Sequence, residues 1–307
     1  MEINVLSPGM LTTLQDLGRV GFRHTGLATG GAMDVFALRL ANMLIGNEEK
    51  AVGLEMTMTG AEMEFSSDAL VAVTGAKMSG LETGRPHFVR AGERLKFGPT
   101  KAGCRTYVAI SGGFNAPSVL GGKGTDLRTG LGGHEGRALR AGDFLTVNDV
   151  KREIVGRWSV DPRILPAYHA GASVRVIIGP EATDFTQDIN QCNFVVSKDS
   201  DRMGLRLSGD KLARKSSKEM ISTAVGTGTV QVPPDGSPII LMADAQTIGG
   251  YPRIAQVIQV DLPLIAQLRP GDMVRFDIVT LAEAHRLSRD RQKDIGFLRE
   301  GLRGKFR

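Results

Sequence analysis

Three widely separated segments of this chain follow one pattern: Ala91-Gly92-Glu93-Arg94-Leu95-Lys96-Phe97, Ala141-Gly142-Asp143-Phe144-Leu145-Thr146-Val147 and Pro270-Gly271-Asp272-Met273-Val274-Arg275-Phe276. Each is a turn with an acidic residue, followed by alternating apolar positions. The glycine permits the turn, and a period of two gives one strand face to a core. Recurrence along the chain points to related β-barrel or folded-sheet units and away from a βαβ nucleotide-binding fold. Met63-Glu64-Phe65, Leu70–Val73, Arg105–Ile110, Val174–Ile178 and Phe194–Val196 are further strands between breaker residues, and Ile3-Asn4-Val5 is predicted as a short edge strand. The expected fold is mainly β, with two β-barrel-like domains and a few short helices.

The clearest helix holds Met33, Ala37, Leu40, Ala41 and Leu44, with Asp34 in its first turn and Gly46 as its stop. Asn42, in mid-helix, is unfavourable unless it bonds outside the helix. Thr12 to Gly31 has five glycines and no apolar period, which predicts an ordered loop. A chain of 307 residues is long enough for two cores. Residues 151–171, with two prolines and two glycines, mark the division. The domains are therefore placed at 1–160 and 161–284, followed by a basic tail at 285–307. Leu262–Leu268 is predicted as a short helix, and Ile295, Leu298 and Leu302 give the tail a helical pattern. Docking of the tail and a solvated end are both open.

Charge narrows the class of partner. The chain has 38 basic and 33 acidic residues, a net charge of +5. The tail holds eight of the former and three of the latter, so the excess lies there and the body is neutral. With three Tyr and one Trp, no aromatic-lined basic groove is expected, and nucleic acid is a poor partner. Cys104 and Cys192 are far apart, which suits a reducing, cytoplasmic setting. The first residues lack a secretory pattern, and no run of apolar residues is long enough for a membrane span.

The best candidate site is the stretch Gly228 to Pro252. A short apolar strand, Ile239–Met242, leads into Asp244, Gln246 and Thr247 and then Gly249-Gly250-Tyr251-Pro252. Polar groups at a strand end beside a glycine pair let backbone approach a ligand; a tight turn satisfying its own backbone is the plainer alternative. Gln15, Asp16, Arg19, Arg23 and His24 place donors and acceptors on the early loop, where pairing of Asp16 with an arginine is equally open. Arg202 and Arg206 could grip a carboxylate or phosphoryl group, or Arg202 could pair with Asp199 or Asp201. His134, in a glycine-rich segment, could move a proton given a partner and a substrate. The histidines and cysteines have no metal-ligand spacing, so no metal is expected. Gly121–Thr125, GGKGT, lacks the gap of a phosphate loop and reads as a glycine-rich turn. There is no nucleophile elbow.

The ordered motifs resemble the biotin-dependent carboxyltransferase-like family, which includes allophanate hydrolase subunit 2, the kinase-inhibitor antagonist KipA and the C-subunit of ATP-dependent 5-oxoprolinase. The resemblance rests on Thr13–Arg19, Gly31–Asp34, Ala41-Asn42 with Gly46-Asn47, Glu55, Thr74–Ala76 and Tyr107–Gly113. It continues through Gly132–Arg137, Gly142-Asp143, Ser200–Gly204, Gln231–Pro233, Gly236–Pro238 and Asp244–Pro252. It implies cyclophilin-like barrel character and a carboxyltransferase-like first domain. It further implies an enzyme active only with partners, a KipI-like subunit (PxpB) and a LamB/YcsF-like subunit (PxpA). That assembly opens 5-oxo-L-proline to L-glutamate with ATP, which is bound at least partly by a partner; no covalent biotin site is evident in this chain. The alternatives are a noncatalytic KipA-like regulator of a histidine-kinase inhibitor and a urea or amide carboxyltransferase component.

On chemical grounds, Asp244, Gln246 and Tyr251 are expected to be catalytic. Gln15, Asp16, Arg19, Arg202, Gln231, Thr247, Gly249 and Gly250 are expected to bind substrate, with His24 and His134 as accessories. Arg19 or Arg202 would hold a carboxylate, the glutamines would read the amide, and the glycine N–H groups would meet developing oxygen charge. The Gln15-Asp16-Arg19 loop, Arg202, Gln231 and the Asp244–Tyr251 residues are expected to meet in one cleft. Two departures from the family bear on this: Ala245 stands where arginine is frequent and Ile248 where threonine is, and the turn before the central threonine is Gly122-Lys123-Gly124.

Overall fold

The computed structural model describes residues 1–148, 157–216 and 220–306; part of the predicted connector, 149–156, lies outside them. The chain divides into two compact units, one of Met1–Val20, Gly30–Tyr168 and Lys293–Arg307, the other of Gly21–Thr29 and His169–Gln292.

In the first unit, nine strands form two sheets: β1 Glu2–Ser7, β2 Leu11–Gln15, β3 Gly53–Thr57, β4 Glu62–Phe65, β5 Ala69–Lys77, β6 Pro86–Val89, β7 Arg94–Lys96, β8 Ala102–Ile110 and β9 Phe144–Thr146. One sheet has the order β7-β4-β1-β9 and the other β2-β3-β8-β5-β6. Alternate residues of both sheets, among them Ile3, Val5, Leu54, Met56, Met63, Phe65, Val71 and Val108, make one core. The opposite face of the five-stranded sheet, through Leu70, Ala72 and Ala109, packs on Leu40, Ala41 and Leu44 of helix α1, Val35–Leu44. With both faces covered, β5 and β8 are buried almost throughout, which is why Leu70–Val73 and Tyr107–Ile110 carry apolar residues without alternation. Asp34 caps α1 by accepting from the Ala37 N–H at 2.9 Å. Asn42 is fully buried and donates to the Ala51 carbonyl at 2.8 Å, so its polar group is satisfied outside the helix.

The second unit is a closed barrel. Strands β10 Ala172–Ile178, β11 Phe194–Val196, β12 Gly204–Gly209, β14 Thr229–Gln231, β15 Ile239–Leu241, β17 Arg253–Val257 and β18 Met273–Ile278 pair in the order β10-β17-β14-β15-β12-β11-β18. The parallel pairing of β10 with β18 closes it. Val174, Val176, Phe194, Val230, Ile240, Val274 and Phe276 are buried, and the rings of Phe194 and Phe276 meet edge to face at 5.8 Å. Beside the barrel, β13 Thr223–Ala224 pairs with β16 Ile248–Gly249. The short helix α2 spans Leu262–Ala266.

The repeated segment has one physical cause in all three places. Gly92, Gly142 and Gly271 have φ of +78°, +88° and +92°, and each opens a strand, β7, β9 or β18. In each turn the acidic side chain accepts from the backbone N–H three residues earlier, of Arg90 at 3.0 Å, Arg140 at 2.7 Å and Arg269 at 2.9 Å. The acidic residue therefore fastens the turn that the glycine allows.

Two expectations are corrected. Ile3-Asn4-Val5 is not an edge strand, because β1 is flanked by β4 and β9. The stretch from Thr12 is not all loop: Leu11–Gln15 pairs with β3. As for the tail, helix α3 runs Leu281–Leu302; within the first unit, Ile295 and Leu302 are buried with Phe36 and Leu44, and Arg299 pairs with Glu49 at 2.5 Å. Trp158 and Phe306 meet edge to face at 5.3 Å.

Candidate functional site

The residues singled out in the sequence fall into one cluster in each unit. In the first, β2 ends at Gln15 and the chain turns through Asp16 and Arg19. Gln15 donates to Thr13 Oγ1 at 3.0 Å and to the Thr125 carbonyl at 3.1 Å. The Asp16 carboxylate accepts the N–H of Gly18 at 2.8 Å and of Lys123 at 2.6 Å. Arg19 Nη2 donates to the Gly124 carbonyl at 2.7 Å. Asp16 thus serves backbone rather than forming an ion pair with an arginine. The glycine-rich turn is fastened to the end of β2, and among the described residues up to 148 no helix follows it.

Arg19 is the anomaly of this cluster. Its side chain is fully buried, and its Nε and Nη1, like Gln15 Oε1, have no hydrogen-bond partner among the described residues. A guanidinium out of water without a counter-charge costs several kcal/mol. The packing around it leaves no slack: a Cβ on Gly132 would lie 2.5 Å from Arg19 Nη2, and one on Gly133 would lie 1.8 Å from Thr125 Oγ1. A cleft of about 660 Å³ beside this loop is lined by Asp16, Gly18, Asn47, Lys123 and Asn148.

In the second unit, Arg202 and Asp244 are both buried and form a two-pronged ion pair, Nε to Oδ2 at 2.8 Å and Nη2 to Oδ1 at 3.0 Å. This corrects the pairing of Arg202 with Asp199 or Asp201: the Asp201 carboxylate accepts the Met203 and Gly204 N–H groups instead. Gln231 Nε2 donates to the Tyr251 carbonyl at 3.1 Å, and Gln246 Nε2 approaches Gln231 Oε1 at 3.4 Å. Gly249 lies against that amide, where a Cβ would be 2.8 Å from Gln231 Nε2. The Tyr251 side chain is exposed, Gly250 lies near Met220 and Ser222, and Thr247 is buried at the wall of a cleft of about 630 Å³. Ala245 sits in an apolar cluster with Val225 and Leu241, and Ile248 is exposed.

The two histidines are placed differently. His24, in the second unit, has Nδ1 against the Gly21 carbonyl at 2.9 Å and lines the same cleft as Thr247. His134, in the first, has Nε2 3.4 Å from Asp143. Arg137 also grips Asp143, and its hydrogen bonds hold that carboxyl down to about 2. Among the described residues no group of three or more His, Cys, Asp or Glu could hold a metal, and no helix is long and apolar enough to cross a membrane.

Sequence reasoning missed a buried network behind α1. Tyr107 Oη donates to Glu55 Oε2 at 2.7 Å and accepts the Asp34 N–H at 2.7 Å, while Glu55 also accepts the Met33 N–H at 2.8 Å. Burial, with the Glu55 charge next, pushes the Tyr107 hydroxyl well above its ordinary range, so it stays a donor. Tyr168 Oη reaches Asp34 Oδ2 at 2.7 Å. Arg253 and Gln256, which share the cleft with Thr247, were also missed; three residues apart in β17, they do not read in the sequence as one face of a strand.

Mainly β architecture, with two sheets in the first unit and a closed seven-stranded barrel in the second, sets the class. Residues 25–278 match the carboxyltransferase domain, subdomain A and B, and the chain belongs to that family. Within it, the chain is 39% identical over 301 residues to the 5-oxoprolinase C-subunit of Escherichia coli K12, covering 95% of this chain and 96% of the relative. The protein of the same name from Haemophilus influenzae is 40% identical, with 94% of each covered. Urea amidolyase of Lachancea kluyveri is 30% identical over 97% of this chain, which spans 18% of that enzyme. The crystal structure of the K. lactis urea amidolyase superimposes with a TM-score of 0.90 at 27% identity, over 97% of this chain and 20% of that one.

Proposed function

We propose that this chain is one subunit of an ATP-dependent 5-oxoprolinase, in which water opens the lactam of 5-oxo-L-proline to give L-glutamate. The observation that carries this reading is the match to the 5-oxoprolinase C-subunit, which runs over 95% of this chain and 96% of the relative. The urea amidolyases, by contrast, contain the match as a small part of a longer chain. The partners are a KipI-like and a LamB/YcsF-like subunit, and ATP is held at least partly by them. The assembly is cytoplasmic.

The geometry supports distinct roles for the two clusters. A lactam is a planar amide with one N–H and one carbonyl, and recognising it takes one acceptor and one donor. Gln246, steadied by Gln231, offers its Oε1 to the N–H. Gly249 is taken up in the pairing of β16 with β13, so the Gly250 backbone is the one that meets the carbonyl, where negative charge develops as water adds. Tyr251 walls this place. Arg202 and Asp244 neutralise each other, so they act as positioning residues that hold the Gln246-Thr247 turn. Within the first unit, Arg19 Nε and Nη1 have no acceptor among the described residues, and an anionic oxygen bound there would satisfy them; Gln15 and Asp16 hold the loop for that purpose.

Reconstitution with both partners tests the reading. The complete assembly is expected to hydrolyse ATP in response to 5-oxoproline and release glutamate, and omission of this chain to abolish both. Equal glutamate formation without the chain sinks the proposal. The likeness to urea amidolyase supports a second reading, carboxyl transfer to an amide nitrogen. It would be favoured if ATP consumption required bicarbonate and a urea or amide instead of 5-oxoproline.

A further inference from the structure

Thr247 and His24 share their cleft with groups for which the site described above gives no role. Within the second unit, Arg23, His24, Thr247, Ile248, Arg253 and Gln256 line a space of about 630 Å³, a size suited to a small molecule. Its described lining contains two guanidinium groups and an imidazole and no carboxylate. The two arginines differ. Arg253 pairs with Glu181 through Nε at 3.0 Å and Nη2 at 2.8 Å, which offsets its charge. Gln256 is likewise engaged, donating to the Thr227 and Val257 carbonyls. Arg23 is half-buried, and the one hydrogen bond described for it runs from Nη2 to the Val225 carbonyl, which fixes its plane and leaves Nε and Nη1 for a ligand. The Thr247 hydroxyl and His24 Nε2 add two more polar groups to the same wall. Ile178 and Ile248 are both exposed at its apolar part.

A positive fork with no counter-charge among the described residues, beside a hydroxyl and an apolar surface, suits a molecule with an oxyanion at one end and a short hydrocarbon body. We infer that this cleft binds a small organic acid, with Arg23 as the anchor of its carboxylate. The inference rests on the functional reading above for the choice of acid: 5-oxoproline and glutamate both pair a carboxylate with a short hydrocarbon body. It deepens that reading by supplying the carboxylate anchor that Arg202, engaged with Asp244, does not.

The test is calorimetric titration of the isolated full-length chain with 5-oxoproline, L-glutamate and inorganic phosphate in separate runs. Saturable binding of 5-oxoproline or glutamate is expected, weakened at least about ten-fold by Arg23→Gln, since a charge-assisted bond is lost. Because Arg23 also holds the Val225 carbonyl, Ile248→Glu is a second variant. Ile248 is exposed, and a carboxylate at the rim is expected to weaken the acids to a similar degree without removing any hydrogen bond described for the wild type. Absence of binding by either acid, binding of phosphate alone, or equal affinity in both folded variants would overturn the inference. Turnover of the reconstituted assembly is measured separately. Lactam hydrolysis without acid binding here refutes the cleft and spares the function; acid binding without lactam hydrolysis does the reverse.

Discussion

Two arginines, one in each unit, are buried to a similar degree and treated in opposite ways. Arg202 meets Asp244 through two parallel hydrogen bonds, whereas Arg19 meets one backbone carbonyl and leaves two nitrogens without acceptors. A buried charge with its partner holds a fold in register, and one without a partner is a standing cost that a ligand can relieve. The difference lies in the surroundings of each arginine, which residue type alone does not reveal.

The largest effect is expected where the pair is broken. Arg202→Met leaves the Asp244 carboxylate buried without its counter-charge and should cost about 3–5 kcal/mol in denaturant unfolding. Adding Asp244→Leu should recover much of this loss. A small loss for the single variant would erase the contrast with Arg19.

Arg19→Met sharpens the comparison from the other side. It removes a buried charge whose Nε and Nη1 have no acceptor among the described residues, so stability should stay within about 1 kcal/mol of wild type. Activity of the assembly on 5-oxoproline should nevertheless fall about a hundred-fold in kcat/KM, the scale of a lost hydrogen bond to an anion. A large stability loss with unchanged turnover would make Arg19 structural after all.

Gly133→Ala probes the sleeve around Arg19. Gly133 has φ of +56°, and its Cβ would lie 1.8 Å from Thr125 Oγ1, so about 1–3 kcal/mol of destabilisation is expected. Thr125→Ser, by contrast, keeps the hydroxyl that donates to the Leu14 carbonyl at 3.0 Å and should change less.

The smallest effect belongs to an ion pair nearer the surface, Arg137 with Asp143. Hydrogen bonds from Arg137 hold the Asp143 carboxyl at about 2, below its ordinary 3.8. Its stabilisation is therefore complete above about 3.8 and is lost as pH falls towards 2. Screening by solvent limits it to about 1 kcal/mol. Asp143→Asn should lose that amount at pH 7 and show a flatter acid limb in thermal unfolding; an unchanged acid limb would refute the assignment.

The sequence made local relations legible and long-range ones illegible. The glycine–acid turns were visible because glycine, acid and alternating strand are contiguous, although the use of each carboxylate as a clamp on an N–H three residues back was not. The Gln231, Gln246 and Gly249 cluster was also found, since it lies within one short stretch. Arg202 and Asp244 are 42 residues apart, and nearer aspartates competed for the same arginine. β1 was misplaced as an edge because edge or centre depends on partners, β4 and β9, distant along the chain. The orphaned atoms of Arg19 have no signature at all in the order of residues, because burial without a partner is a property of packing.

The seam of the barrel carries a consequence for biosynthesis. Its first strand, Ala172–Ile178, joins the cylinder to its last, Met273–Ile278, in parallel register. A ribosome must therefore deliver residues 273–278 before the wall can be sealed, and until then the growing sheet carries an open ladder at each of its two edges. For a nascent chain of this kind, a delay between the synthesis of these two strands is the dangerous one.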